Sequence, residues 1–325
     1  MRRRIAICLC WLVLMSGVTA AESTTVSFLR EDWRDAARQQ RVVPVKIDYP
    51  KSLRTPLPVV IVSHGLGGSR EGLAYLGTYL ADHGYVVVHI QHVGSDDSLW
   101  KGAKPAMALL AIKMAASPLQ FVARVKDVTF TLDELTRRNA DPKWPLHGKL
   151  DLDHVAMAGH SFGAVTTQAI CGEMYPGQDS FCDKRIKAGV SLSPQPPAGD
   201  AATAFAKIAV PVMHWTGTKD DAPMLVSDVK ANQRRVPYDS TTATDQYLIT
   251  ITGAEHIFFN GRSPEQMKTH PQDAAWQNLV GRGTAAFLDK YLKGNAAQAK
   301  YLDGGAFAKE VAKFGTFEEK LATTK

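Results

Sequence analysis

Cysteine is scarce, with four residues in 325, and two of them, Cys8 and Cys10, lie within the first ten positions. Cys171 and Cys182 have no cluster of His or acidic residues around them, which argues against a Cys/His metal centre; none is expected elsewhere. Apart from residues 5–15 there is no long apolar run, and that run falls short of the roughly 20 residues a spanning helix needs. Lys and Arg are scattered rather than clustered, so no nucleic-acid footprint is indicated. No repeat is visible, and the only biased tract is a short Ala-rich patch at 200–206. What remains is an ordinary globular balance, 45% hydrophobic and 22% charged, enough for the core of one large domain.

The N-terminus reads separately. Arg2-Arg3-Arg4 precedes the apolar stretch Ile5 to Met15, and Ser16 to Ala21 are mostly small. Residues 1–20 therefore read as a secretory signal peptide rather than an anchor, with cleavage after Ala20 or, one residue later, after Ala21. Export to the periplasm or the exterior follows as an expectation. Residues 1–20 hold three Arg and no acid, so cleavage lowers the formal charge from +6 to +3. In an oxidising compartment Cys171 and Cys182 are expected to form a disulfide worth ~2–3 kcal/mol; the alternative is two unrelated buried thiols.

The remainder, 21–325, reads as one domain with its core at about 40–295 and an extension at 296–325. Residues 24–30 and 42–49 read as antiparallel edge strands. Val59 to Val62 is a β-branched run of the buried parallel type, followed by a helix at 70–82 and a strand at 85–90. Two helices meeting near Pro118 fill 105–138. Strands follow at 155–159, 186–192, 210–215 and 246–252, with helices at 162–172 and 272–293, and beyond Gly294 the helical signals are weak. Strands alternating with helices imply an α/β fold whose mainly parallel sheet carries helices on both faces and binds ligands at the strands' carboxyl ends.

Reactive residue types gather at those ends. Gly159-His160-Ser161-Phe162-Gly163 joins a strand to a helix, the context in which a sharp turn lifts a Ser hydroxyl clear of the sheet. Glycine at both flanks leaves room where neighbouring chains pack tightly. Ser161 is thus the candidate nucleophile. The Gly-rich loop Ser63-His64-Gly65-Leu66-Gly67-Gly68 follows a strand and suits backbone N–H groups that stabilise an oxyanion; Leu66 and Phe162 are the candidate donors. A Ser nucleophile needs a base and an acid to orient it, in the chain order Ser, acid, His. His214 lies inside a predicted strand and His270 in a polar stretch before Pro271, so His256, in the loop after the last strand and before the last helix, is the candidate base; His64 precedes the nucleophile and belongs to the oxyanion loop. For the acid, Asp220 and Asp221 both follow the strand at 210–215; Asp220 is preferred and Asp221 stays open.

On these motifs the chain resembles the platelet-activating-factor acetylhydrolase and dienelactone-hydrolase-like group of α/β-hydrolases. The likeness rests on Pro58 to Ile90, with Ser63-His64-Gly65-Leu66-Gly67 and Leu80-Ala81-Asp82-His83-Gly84-Tyr85, and on Gly159 to Gly163. It implies an α/β-hydrolase fold, hydrolysis of short or modified acyl esters without metal or organic cofactor, and oxyanion contacts from Leu66 and Phe162. One departure stands out. The acetylhydrolase branch carries its acid after the strand that follows the nucleophile helix, but here Ser191 to Pro197 holds no Asp before Asp200. The acid must come one strand later, as in the dienelactone-hydrolase-like and polyester-hydrolase relatives, which weakens any transfer of a phospholipid substrate.

Two further readings compete. A cutinase-like polyester hydrolase could use Trp100 and Trp215 as an apolar surface, and a catalytically silent hydrolase fold could serve as a secreted binding module. Short acyl chains are expected, because no long apolar lid segment is evident. The expected partner is a small or polymeric ester, with neither nucleic acid nor a stable membrane anchor.

Overall fold

The computed structural model describes residues 25–222, 227–261 and 269–322. The signal-peptide reading, Cys8 and Cys10 included, lies outside these residues.

Among the described residues, nine strands form one sheet in the order β1-β2-β4-β3-β5-β6-β7-β8-β9. They are β1 (Val26–Asp35), β2 (Arg41–Pro50), β3 (Leu57–Ser63), β4 (Val86–Ile90), β5 (Leu150–His160), β6 (Ile186–Leu192), β7 (Val212–Lys219), β8 (Gln246–Glu255) and β9 (Gly315–Lys320). β4-β3-β5-β6-β7-β8 run parallel, while β1, β2 and β9 are antiparallel edges. Between them run α1 (Ala74–Asp82), α2 (Pro105–Ala115), α3 (Pro118–Asn139), α4 (Phe162–Cys171), α5 (Ala201–Phe205), α6 (Val236–Ser240), α7 (Asp273–Lys293), α8 (Ala296–Asp303) and α9 (Ala306–Val311). This is the α/β-hydrolase arrangement.

Side chains alternate across a strand, so a parallel strand covered on both faces is apolar throughout. In β3, Val60 and Val62 pack into one core with Leu76 and Leu80 of α1 and Phe287 and Leu288 of α7. Val59 and Ile61 face the opposite core, with Val125, Val128 and Leu132 of α3 and Ile170 of α4. The break between α2 and α3 has a local cause. Pro118 occupies the first turn of α3, and the Ser117 side chain caps it by accepting from the Gln120 N–H.

Beyond Gly294 the helical reading holds for α8 and α9, but Gly315–Lys320 is a strand. Leu302, Phe307 and Val311 are buried in the first core, and β9 pairs along β8 from Gln246 to Ile251. Gly-Thr-Phe-Glu-Glu-Lys has little intrinsic strand character. The unpaired edge of β8 supplies the partner that makes it a strand.

The expected disulfide is absent. Cys171 and Cys182 are both free thiols, the first buried and the second exposed. Cys171 ends α4 with its sulfur turned into the sheet, so close to Gly189 of β6 that a Cβ there would meet it at 2.7 Å. Packing commits this thiol to the core, and burial pushes it up to about 12. Of the two tryptophans considered for a binding surface, Trp215 is fully buried against Phe307. Trp100 is half-buried and donates from Nε1 to the Gly67 carbonyl at 2.7 Å.

Candidate active site

Ser161 stands between β5 and α4 with φ 55 and ψ −113, a conformation that L-residues rarely adopt. Both flanking glycines are sterically required. A Cβ on Gly159 would lie 2.2 Å from the Gly163 carbonyl oxygen, and one on Gly163 would lie 1.9 Å from the Ser63 carbonyl oxygen. The strain is held by this packing and by the Ser161 N–H bond to the Leu192 carbonyl at 3.0 Å.

The structure brings Ser161, His256 and Asp220 together. His256 begins a short 3₁₀ turn at the end of β8, and its Nε2 lies 2.9 Å from Ser161 Oγ. Its Nδ1 lies 2.7 Å from Asp220 Oδ1. Asp220 is fully buried, and its Oδ2 accepts from Thr216 Oγ1 at 2.8 Å. A carboxylate at Nδ1 requires that nitrogen to carry its proton, which leaves Nε2 to accept from the Ser161 hydroxyl. Asp221 points elsewhere: it is exposed, accepts from the Ala231 N–H at 2.9 Å and lies 3.7 Å from Lys230 Nζ.

The Gly-rich loop abuts this group, since a Cβ on Gly65 would be 3.5 Å from Ser161 Cβ. Gly67 N–H donates to Ser95 O at 2.9 Å and Gly68 N–H to Gly65 O at 3.1 Å, bracketing Leu66. Phe162 follows Ser161 as the first residue of α4, where backbone N–H groups and the helix dipole favour negative charge. His64 is buried, with Nδ1 donating to Gly65 O at 2.6 Å and Nε2 accepting from the His92 N–H at 3.0 Å. Burial, reinforced by Arg124, holds its proton affinity well below the usual range, so it is a neutral fastener of the loop.

Beneath the loop lies a second Ser-His-Asp chain that sequence spacing did not reveal. Ser63 Oγ lies 2.9 Å from His92 Nε2, and His92 Nδ1 lies 3.1 Å from Asp127 Oδ2. All three side chains are fully buried, and Asp127 is paired with Arg38 and Arg41, so no substrate can reach them. Arg124 joins this network to the site. It donates to Ser63 Oγ at 3.1 Å, to Ser95 Oγ at 2.9 Å, to Thr166 Oγ1 at 3.2 Å and to the His64 carbonyl, and its guanidinium stacks 4.6 Å from the Phe162 ring centre.

Other histidines fall away from the relay. His214 is buried in β7 with Nε2 at 2.9 Å from Gln246 Oε1, and His270 stacks on Trp276. Two further residues stand beside the relay. The ring of His160, the motif residue before Ser161, lies 4.7 Å from that of His256, and Arg234 Nη2 lies 3.3 Å from His256 Nδ1. Arg234 gave no sequence signal, because a distant segment with no motif of its own brings it there.

Comparison with known proteins agrees with the motif likeness. A family model for platelet-activating factor acetylhydrolase, isoform II, matches residues 33–101, which include the Gly-rich loop and end before Ser161. A platelet-activating factor acetylhydrolase of Cavia porcellus is 23% identical over 295 residues, covering 77% of this chain and 61% of that protein. One of Canis lupus familiaris is 22% identical over 285 residues, covering 77% and 60%, and one of Bos taurus is 26% identical over 231 residues, covering 62% and 48%. The chain thus spans at most 61% of the length of these relatives. Together these matches support placing the chain's likeness in the platelet-activating-factor acetylhydrolase-like group of α/β-hydrolases.

Proposed function

We propose that this chain is a serine carboxylic-ester hydrolase. The relay from Ser161 through His256 to Asp220, with both contacts at hydrogen-bond distance, carries the reading. In this mechanism His256 Nε2 takes the Ser161 proton while Oγ attacks the ester carbonyl carbon. The N–H groups of Phe162 and Leu66 hold the resulting oxyanion. The C–O bond to the alcohol breaks as His256 returns the proton to the leaving oxygen. Water, deprotonated by the same imidazole, then attacks the acyl-enzyme and releases the acid. Every step is a proton transfer or acyl transfer, with no redox change to balance.

The acyl group proposed is short, in keeping with the acetyl group named in the relatives. Export through residues 1–20 belongs to the same reading, and a mature N-terminus at Ala21 or Glu22 would support it. A fluorophosphonate probe tests the nucleophile: it should label wild type and leave Ser161→Ala unlabelled. A p-nitrophenyl ester series tests the substrate, with the acetate turned over faster than the octanoate. Release of monomer from a polyester film without small-ester turnover would favour the cutinase-like reading. A folded protein that turns over no ester would favour a binding module.

A further inference from the structure

Arg234 stands on the 3₁₀ turn Ala231–Arg235. It is fully buried, and its guanidinium meets the ends of three strands. Nη1 donates to Ser193 O at 3.4 Å and Pro194 O at 3.2 Å, after β6. Nε donates to Asp220 O at 3.0 Å, after β7, and lies 3.5 Å from Asp220 Oδ1. Nη2 lies 3.3 Å from His256 Nδ1, after β8. The geometry points to Arg234 as a positioning residue, one that ties these three strand ends together and so fixes Asp220 against His256. This rests on the hydrolase reading.

The test compares Arg234→Gln and Arg234→Lys with wild type on p-nitrophenyl acetate. Loss of these contacts should lower kcat about 10²-fold, with KM little changed. Arg234→Lys, which keeps a donor at the strand ends, should recover part of that loss. A folded Arg234→Gln with wild-type kcat overturns the proposal. If that variant does not fold, a folded Arg234→Lys with raised KM and unchanged kcat overturns it. A wild type that takes no fluorophosphonate label fails the hydrolase reading instead, so the two failures are distinguishable.

Discussion

Replacing Asp220 by Asn is the sharpest perturbation of the relay, because it changes one oxygen to nitrogen without changing shape. The carboxylate now accepts from His256 Nδ1 at 2.7 Å and from Thr216 Oγ1 at 2.8 Å. An Asn that keeps the Thr216 bond turns its NH₂ toward His256. Nδ1 must then accept, so the ring proton moves to Nε2 and points at Ser161 Oγ, 2.9 Å away. That tautomer cannot take the Ser161 proton. The loss expected for this kind of exchange is about 10⁴ in kcat, equivalent to ~5.4 kcal/mol in the barrier. Asp221→Asn removes only an exposed turn contact and a 3.7 Å pairing with Lys230, and its turnover should stay within about threefold of wild type. The assay is p-nitrophenyl acetate hydrolysis at equal concentrations of folded protein. Collapse of Asp221→Asn with survival of Asp220→Asn would refute the reasoning.

Three other outcomes are expected. Gly163→Ala puts a Cβ 1.9 Å from Ser63 O, 2.7 Å from Ser63 C and 2.9 Å from His64 O, all backbone atoms that cannot swing aside. It should cost upward of about 3 kcal/mol in denaturant unfolding, and a wild-type midpoint would contradict the packing. Glu173 is pushed up to about 7 by burial, against hydrogen bonds from Tyr175 and Gln168 that favour its ionised form. Its folded state therefore holds a proton that the unfolded chain has already released, so stability falls as pH rises from about 4.5 to 7; in denaturant unfolding Glu173→Gln should gain stability over wild type at pH 8 relative to pH 5, by roughly 3 kcal/mol at most. A thiol reagent should label Cys182 in the native protein and reach Cys171 only on unfolding; a chain in which neither thiol reacts after denaturation without reductant would restore the disulfide.

Much of the sheet was legible because parallel strands buried on both faces are mainly apolar: Val59 to Val62 is apolar throughout, and Val86 to Ile90 is apolar except at His89. Ser161 was legible because its strained turn requires two specific glycines, and His256 because strand ends collect loop residues. The sequence left Asp220 preferred and its neighbour Asp221 open. Their burial separates them, and burial depends on how the loop after β7 folds against the turn carrying Arg234.

The local sequence determined the central strands, the helix starts at Pro118 and Phe162, and the glycines around the nucleophile, since each follows from backbone sterics within a few residues. Tertiary structure decided the rest. β9 became a strand because the edge of β8 lacked a partner. Cys171 and Cys182 stayed free thiols, the first buried and the second exposed. Ser63, His92 and Asp127 met in the core, and Arg234 reached His256, because packing joined segments 29 to 35 and 22 residues apart whose side chains share no local periodicity.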